Sequence, residues 1–348
     1  MPAEWEPHEA TWIAWPHHEP DWPGKLGPIP WVYAEIVRAL HSYERVEILC
    51  NAPDDVEIAR QHLTAHGVRP EGYRLHVVPN DRVWLRDSAP TGVVRPDGSP
   101  ALCNWKFNAW AKYPNYEHDA RVGQAVERIA GLPRVEPVRP DGGGRVVLEG
   151  GAIETNGRGL FLVTEECLLS PIQERNPGLT REGYEQVFRE FLGVEHTIWL
   201  GEGCVGDDTH GHIDDVARFV STDTIVLAYE EDPADENHER SADNLRRLEL
   251  ASSRVPGGLR VVTLPFPRAV EMNGERLPAS YANFYVANGV AIVPTFNDKN
   301  DRVALNTIAE LMPDRDVIGI HSVDLVWGLG TLHCLSQQQP RGHPGRDA

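Results

Sequence analysis

A ring of five α/β units, each running strand, strand, helix, strand, is the fold this sequence predicts. Three observations predict it. The ββαβ order recurs at intervals of ~60 residues; polar residues suited to chemistry stand at matching places in the units; and no low-complexity linker or long charge run divides the 348 residues. A unit of this kind can bury its apolar faces only against its neighbours, so equivalent positions of successive units converge.

In chain order, TWIAW (11–15), a helix over 31–43 and the strand VEILC (46–50) make up most of one unit, and the carboxy-terminal LHCLSQQ (332–338) is its missing first strand. That pairing closes the ring. SAPTGVV (88–94), the turn RPDG, ALCNWKF (101–107), a helix over 118–130 and RVEPV (134–138) form the second unit. The third is the clearest: VVLEGGAIE (146–154), the hairpin turn NGRG, LFLVT (160–164), an amphipathic helix over 180–192 and HTIWL (196–200). IDDVARFV (213–220), the turn STD, TIVLAY (224–229), a helix over 238–251 and LRVVTLP (259–265) repeat the order, as do 282–296, a helix over 301–312 and DVIGI (316–320). Residues 1–340 read as one catalytic domain and 341–348 as a polar tail.

Composition narrows the function. Positions are 41 % apolar and 24 % charged, which excludes disordered and fibrous classes. The net charge is −19, with four lysines among 33 basic residues. No nucleic-acid or anionic-membrane partner is expected of such a surface, whereas a small cationic ligand is attracted to it. Five widely spaced cysteines with no C-x-x-C pair argue against a disulfide framework or zinc knuckle. With no signal-peptide pattern and no apolar run near ~18 residues, the expectation is a reduced, cytoplasmic protein. Homo-oligomer formation is left open. Eight of the ten tryptophans fall before residue 111, a dense aromatic core.

The polar residues at matching places are Asp87, Glu149, His212, Asn283 and Cys334, at intervals of 62, 63, 71 and 51 residues. Cys334 stands between a glycine turn, Gly328 and Gly330, and a run of amides, a setting that suits a nucleophile. Cys50, Cys103, Cys167 and Cys204 read as inert core thiols. GDDTHGHIDD (206–215) packs two histidines and four aspartates into ten positions. Two chemistries fit it. On a strand, His210, His212 and Asp214 would share a face and form a metal site, making the cluster from Asp207 to Asp215 that of a metal-dependent hydrolase. Alternatively His212 carries protons while Asp214 holds a cation. Trp84, Arg86 and Asp87 in WLRDSAP read singly as a salt-bridged turn, and Glu149 as a loop carboxylate. A protein that binds a cation without turning it over would keep the rings and carboxylates, but it has no need of Cys334 with His212.

Together MPAEWEPHEATWIAWP, NDRVWLRDSAPTGVV, FNAW, LEGGAIE, TEECLL, RNPGLT, GDDTHGHIDD, SYANFYVANGVAIVPTF and HCLSQQQP resemble the agmatine deiminase and bacterial peptidylarginine deiminase family, over residues 1 to about 340. The resemblance implies the pentein fold, a five-unit α/β propeller of the guanidine-modifying superfamily, and a hydrolase needing neither metal nor organic cofactor. By position it implies Cys334 as nucleophile, His212 as general acid and base, Asp87 and Asp214 as the carboxylates gripping a guanidinium, and Glu149 beside the histidine. Two carboxylates match the forked donors of a planar guanidinium, and Trp84 offers it a ring wall. The implied reaction converts agmatine and water to N-carbamoylputrescine and ammonia through a cysteine thiouronium; arginine or peptidylarginine deimination is the alternative on the same fold.

The chain also departs from that family. Agmatine deiminases usually read Glu-Thr-Asp-Gly-His where Asp208, Thr209, His210, Gly211 and His212 stand here, and Gly-Gly-Gly-Asn-Ile-His-Cys in place of GLGTLHC. Paired glycines usually follow FNAW, where this chain has Ala111 and Lys112. Asp208 and His210 are therefore expected to line the part of the cavity that takes the substrate's far end, and Gly330 to lie against the substrate.

Overall fold

The computed structural model describes residues 1–343. Among these, strands form five mixed sheets and one two-stranded ribbon. Four sheets share one plan, an antiparallel hairpin followed, after a helix, by a third strand parallel to the second. They comprise Thr91–Val94, Pro100–Cys103 and Arg134–Val135; Glu154–Thr155, Leu160–Thr164 and His196–Leu200; Ala217–Phe219, Thr224–Tyr229 and Arg260–Pro265; and Tyr285–Ala287, Val290–Thr295 and Asp316–His321. In the fifth, Gln337–Pro340 runs antiparallel to His8–Ala14, which pairs in parallel with Arg45–Cys50. The two ends of the chain thus share a sheet, as the repeat requires. This sheet also holds a helix, Pro53–Ala65, and a fourth strand, Tyr73–Val77, for which the repeat has no place.

Local chemistry accounts for the elements. In the helix Arg181–Leu192, the Thr180 hydroxyl accepts from the Gly183 N–H, and Gly193, with φ of 71°, ends the last turn. Tyr184, Val187, Phe188 and Leu192 recur on the buried face. There Phe188 meets Phe161 with ring centroids 5.5 Å apart, and each such side chain removed from water contributes about 1.5–3 kcal/mol. The hairpin before it turns on Asn156, whose side-chain oxygen accepts from the N–H groups of Arg158 and Leu160. Thr224–Tyr229 is buried along almost its whole length, which explains its unbroken apolar run. Trp12, Trp15, Trp22, Trp84, Trp105 and Trp110 are buried, but Trp31 is 54 % exposed.

Several strands expected from the sequence are shorter than predicted: 101–107 ends at Cys103, 134–138 is reduced to Arg134–Val135, and three others give way to turns at the candidate site residues. Residues 146–154 give way to a 3-10 turn at Gly150–Ala152 before the two-residue strand Glu154–Thr155. The segment 213–220 opens with a 3-10 turn, Ile213–Asp215, and residues 332–335 form a turn, so Cys334 precedes its strand instead of lying in it. Asp87, in the short helix Leu85–Ser88, is placed alike. The reason is common to the site residues. These residues satisfy buried charge outside the ladder, and each stands two to five positions ahead of the first strand of its sheet.

The first residues assigned to the tail are anchored: the Arg341 N–H donates to Pro7 O at 2.8 Å and that of His343 to Gly98 O at 3.0 Å. Residues 344–348 lie outside the described residues.

Candidate active site

The pre-strand turns bring distant residues together. His212 is 1 % exposed, with Nδ1 3.8 Å from Asp87 Oδ2 and Nε2 3.9 Å from Glu149 Oε2. Asp87 is held by two donors, the Trp110 indole N–H at 2.9 Å and the Gly151 backbone N–H at 3.0 Å. A Cβ at Gly151 would collide with both the His212 ring and Asp87, so only glycine fits. Glu149 receives Arg175 Nε at 3.1 Å in a fully buried pair.

Cys334 sits on the other side of the group. Asn283 organises its turn: Nδ2 donates to Cys334 Sγ at 3.0 Å, while Oδ1 accepts from the Thr331 hydroxyl and from the N–H groups of His333 and Cys334. Asp214 Oδ2 lies 3.8 Å from Cys334 Sγ and 2.7 Å from His333 Nδ1. The other His333 nitrogen is 2.8 Å from Glu4 Oε2, and Glu4 in turn binds Arg86 and Arg218. A buried chain of charges thus runs from the amino-terminal segment to Asp214. Asp214 Oδ1 has no partner among the described residues.

Burial and charge set the protonation states. Burial pushes the Asp87 carboxyl up to about 6, with His212 opposing and the Asp214 and Glu149 carboxylates adding to the rise. For Glu149 burial acts upward but Arg175 and His212 outweigh it, bringing the group down to about 2. Burial opposes a charged His212, yet Asp87, Cys167 and Glu149 hold its pKa well above the ordinary imidazole value. The Cys334 thiol is pushed well above its usual range by burial and by the carboxylates of Asp214, Asp215 and Asp87. Both shifts favour the protonated forms of Cys334 and His212.

A cavity of about 160 Å³ opens onto this group, lined by Asp87, Trp84, Gly330 and Cys334 at one part and by Asp21, Arg82, Tyr113 and Asp208 at another. His212, Glu149 and Asp214 stand fully buried behind it. A Cβ at Gly330 would sit 2.8 Å from the Trp84 ring, so this glycine keeps the wall open.

His210 departs from the expectation: it does not line this cavity. Its φ is +66°, which breaks the alternation a strand would give, and its ring meets Ser170 Oγ at 3.0 Å and Glu166 at 3.7 Å in a separate cleft. The metal cluster proposed for Asp207–Asp215 does not assemble for the same reason. Asp207 caps its own loop through the N–H groups of Thr209, Gly211 and His212, Asp208 faces the cavity, and Asp214 and Asp215 are buried elsewhere. Among the described residues two other groups bring donor atoms within 4.8 Å, namely Glu149, Cys167 and His212, and Asp214, Asp215 and Cys334, though Arg175 already occupies Glu149. Cys167, expected to be an inert core thiol, is buried as expected and is also a neighbour of His212.

Sequence reasoning did not single out Trp110, Arg175, Asn283 as a side-chain partner of sulfur, His333 or Glu4. Trp110 and Arg175 fall in the motifs FNAW and RNPGLT, so position carried a signal; nothing in the sequence links Glu4 to His333.

The sequence pattern of the Porphyromonas-type peptidyl-arginine deiminases matches residues 1–340. A protein of Latilactobacillus sakei with the provisional name agmatine deiminase is 33 % identical over 365 residues, covering 98 % of this chain and 96 % of its own. Agmatine deiminase of Enterococcus faecalis superposes with a TM-score of 0.87 at 30 % identity, covering 98 % and 95 % of the two chains. That of C. jejuni, solved with substrate bound, gives 0.85 at 27 %, covering 98 % and 96 %. An amidinotransferase of Microseira wollei, 13 % identical with a TM-score of 0.54, shares the fold alone. A thiol, an imidazolium and carboxylates around one cavity, with these relatives, place the chain in the Porphyromonas-type peptidyl-arginine deiminase family, as a hydrolase that deiminates a guanidino group.

Proposed function

We propose that this chain converts agmatine and water to N-carbamoylputrescine and ammonia through a covalent thiouronium on Cys334. The observation that carries the reading is that Asp87 and Cys334 face one cavity while His212 stands behind it between Asp87 and Glu149. The guanidinium sits against Trp84 and Gly330, gripped by Asp87 and Asp214. Its fixed positive charge offsets the carboxylates that hold the thiol neutral, so as substrate binds the thiol releases its proton to solvent and the thiolate forms. Sulfur attacks the central carbon; the imidazolium of His212 gives its proton to the departing nitrogen, and ammonia leaves. Water then adds to the thiouronium carbon, now-neutral His212 takes its proton, and the carbon–sulfur bond breaks to release the substituted urea and the thiol. Asp208 takes the far end of the substrate.

Residues 1–340 serve as one catalytic domain, and the five sheets as the blades of a pentein propeller whose pre-strand turns meet at its centre. Arginine or peptidylarginine is the second substrate reading, kept because the far part of the cavity carries Arg82 as well as carboxylates. Ammonia release from agmatine, arginine and blocked arginine peptides separates the two, and mass spectrometry of acid-quenched enzyme should detect the thiouronium on Cys334. Ammonia from none of the three would overturn the assignment.

A further inference from the structure

The far part of the cavity holds a carboxylate that is already taken. Asp208 lines the cavity, and its Oδ2 accepts from the Tyr113 hydroxyl at 2.7 Å while its Oδ1 is paired with Lys112 Nζ. Lys112 does not line the cavity. It reaches in from the turn Ala109–Ala111, all three residues of which have positive φ, and its side chain is 40 % exposed against 19 % for Asp208. Gln173 ties this turn to the Asp208 loop, its Nε2 donating to Trp110 O and Asp208 O at 3.1 Å each, so the lysine's anchor and its partner are fixed relative to each other. The other carboxylate in this part, Asp21, has Arg82 Nε 3.4 Å away. Both acids there have a protein cation, and Lys112 is the one with a route into solvent.

We propose that Lys112 is a tethered cation that sets tail specificity: it holds the carboxylate that a substrate's far ammonium would use. The inference rests on the deiminase reading of the site. A guanidine with an uncharged alkyl tail binds without disturbing the pair. One ending in an ammonium must exchange with Lys112, a competitor whose tether keeps it at high local concentration. Aminoalkyl guanidines therefore lose their advantage over plain alkylguanidines in this chain, and removal of Lys112 restores it.

The experiment compares agmatine with n-butylguanidine in the parent, Lys112→Ala and Asp208→Asn proteins. Turnover is measured on active enzyme, and dissociation constants in a Cys334→Ala background. Lys112→Ala should raise the agmatine preference, as the ratio of kcat/KM values and of dissociation constants, by roughly 1.5- to fivefold, the range a half-exposed ion pair supplies. Asp208→Asn should move it the opposite way, because the tail then loses its carboxylate while the positive charge of Lys112 beside that position is no longer neutralised. A ratio unchanged in Lys112→Ala, or moving in the same direction in both variants, overturns the proposal. Absence of ammonia from either guanidine with the parent would remove the deiminase reading, while the binding ratio would still decide the role of Lys112. Failure of both guanidines to bind overturns the proposal as well.

Discussion

Burial and three nearby carboxylates all oppose the thiolate of Cys334 and favour its protonated form. Changing it to alanine should abolish turnover by several orders of magnitude yet leave guanidine binding measurable, because Asp87 and Asp214 remain. Calorimetric titration beside an ammonia assay checks this, and catalysis within about a hundredfold of the parent would refute the covalent route. Asp87 sets the pH dependence. With its carboxyl up at about 6, it must lose a proton to accept a guanidinium, so binding to the Cys334→Ala protein should strengthen as pH rises through about 6. A flat profile from pH 5 to 7.5 would show that Asp87 binds in neutral form. At this scale the sequence was informative where equivalent positions of the repeat recur, as for Asp87, Glu149, His212 and Cys334. It misled at His210, because alternate spacing implies a shared face only on extended backbone, and φ of +66° turns that side chain away.

The elements that hold these residues are 3-10 turns, the turn 332–335 and one short helix, too brief to register as periodicity. Apolar patterning marks the strands and helices that bury large faces, and those were legible. The turns were not, because their conformation answers to buried charge supplied by other units. Gly151 tests the point. Alanine there would drive a methyl group into the His212 ring and Asp87, so Gly151→Ala should lower kcat by at least about tenfold with a stability loss of about 1–3 kcal/mol. Denaturant titration alongside kinetics reads both; parent-like kcat would mean that the turn tolerates displacement. The helix Pro53–Ala65 and strand Tyr73–Val77 escaped the repeat reading because they extend one sheet beyond its common plan.

Across the whole molecule, long-range charge pairing joins segments that the repeat alone would leave as neighbours. Glu4 binds Arg218, Arg86 and His333 together, and although burial acts to raise its pKa, these partners hold the carboxyl well below its ordinary value. Glu4→Gln leaves Arg218 with Glu154 alone as a side-chain charge partner in this network and should destabilise the protein by roughly 3 kcal/mol. It should weaken substrate binding too, through Asp214. An unfolding midpoint equal to the parent's would show that the network is dispensable.

The shared sheet at the chain ends also decides how the molecule responds to mechanical load. His8 pairs with Pro340 and Trp12 with Gln337, so the two strands enter their ladder from the same side. Tension applied between the ends peels this seam one rung at a time, from Pro340 towards Gln337, instead of shearing all its hydrogen bonds at once. Three residues past the last rung lies Cys334. The nucleophile therefore sits just behind this seam, and once the outer anchors at Glu4, Arg341 and His343 give way, a surface-tethered copy would lose activity before the helices and the other four sheets are strained.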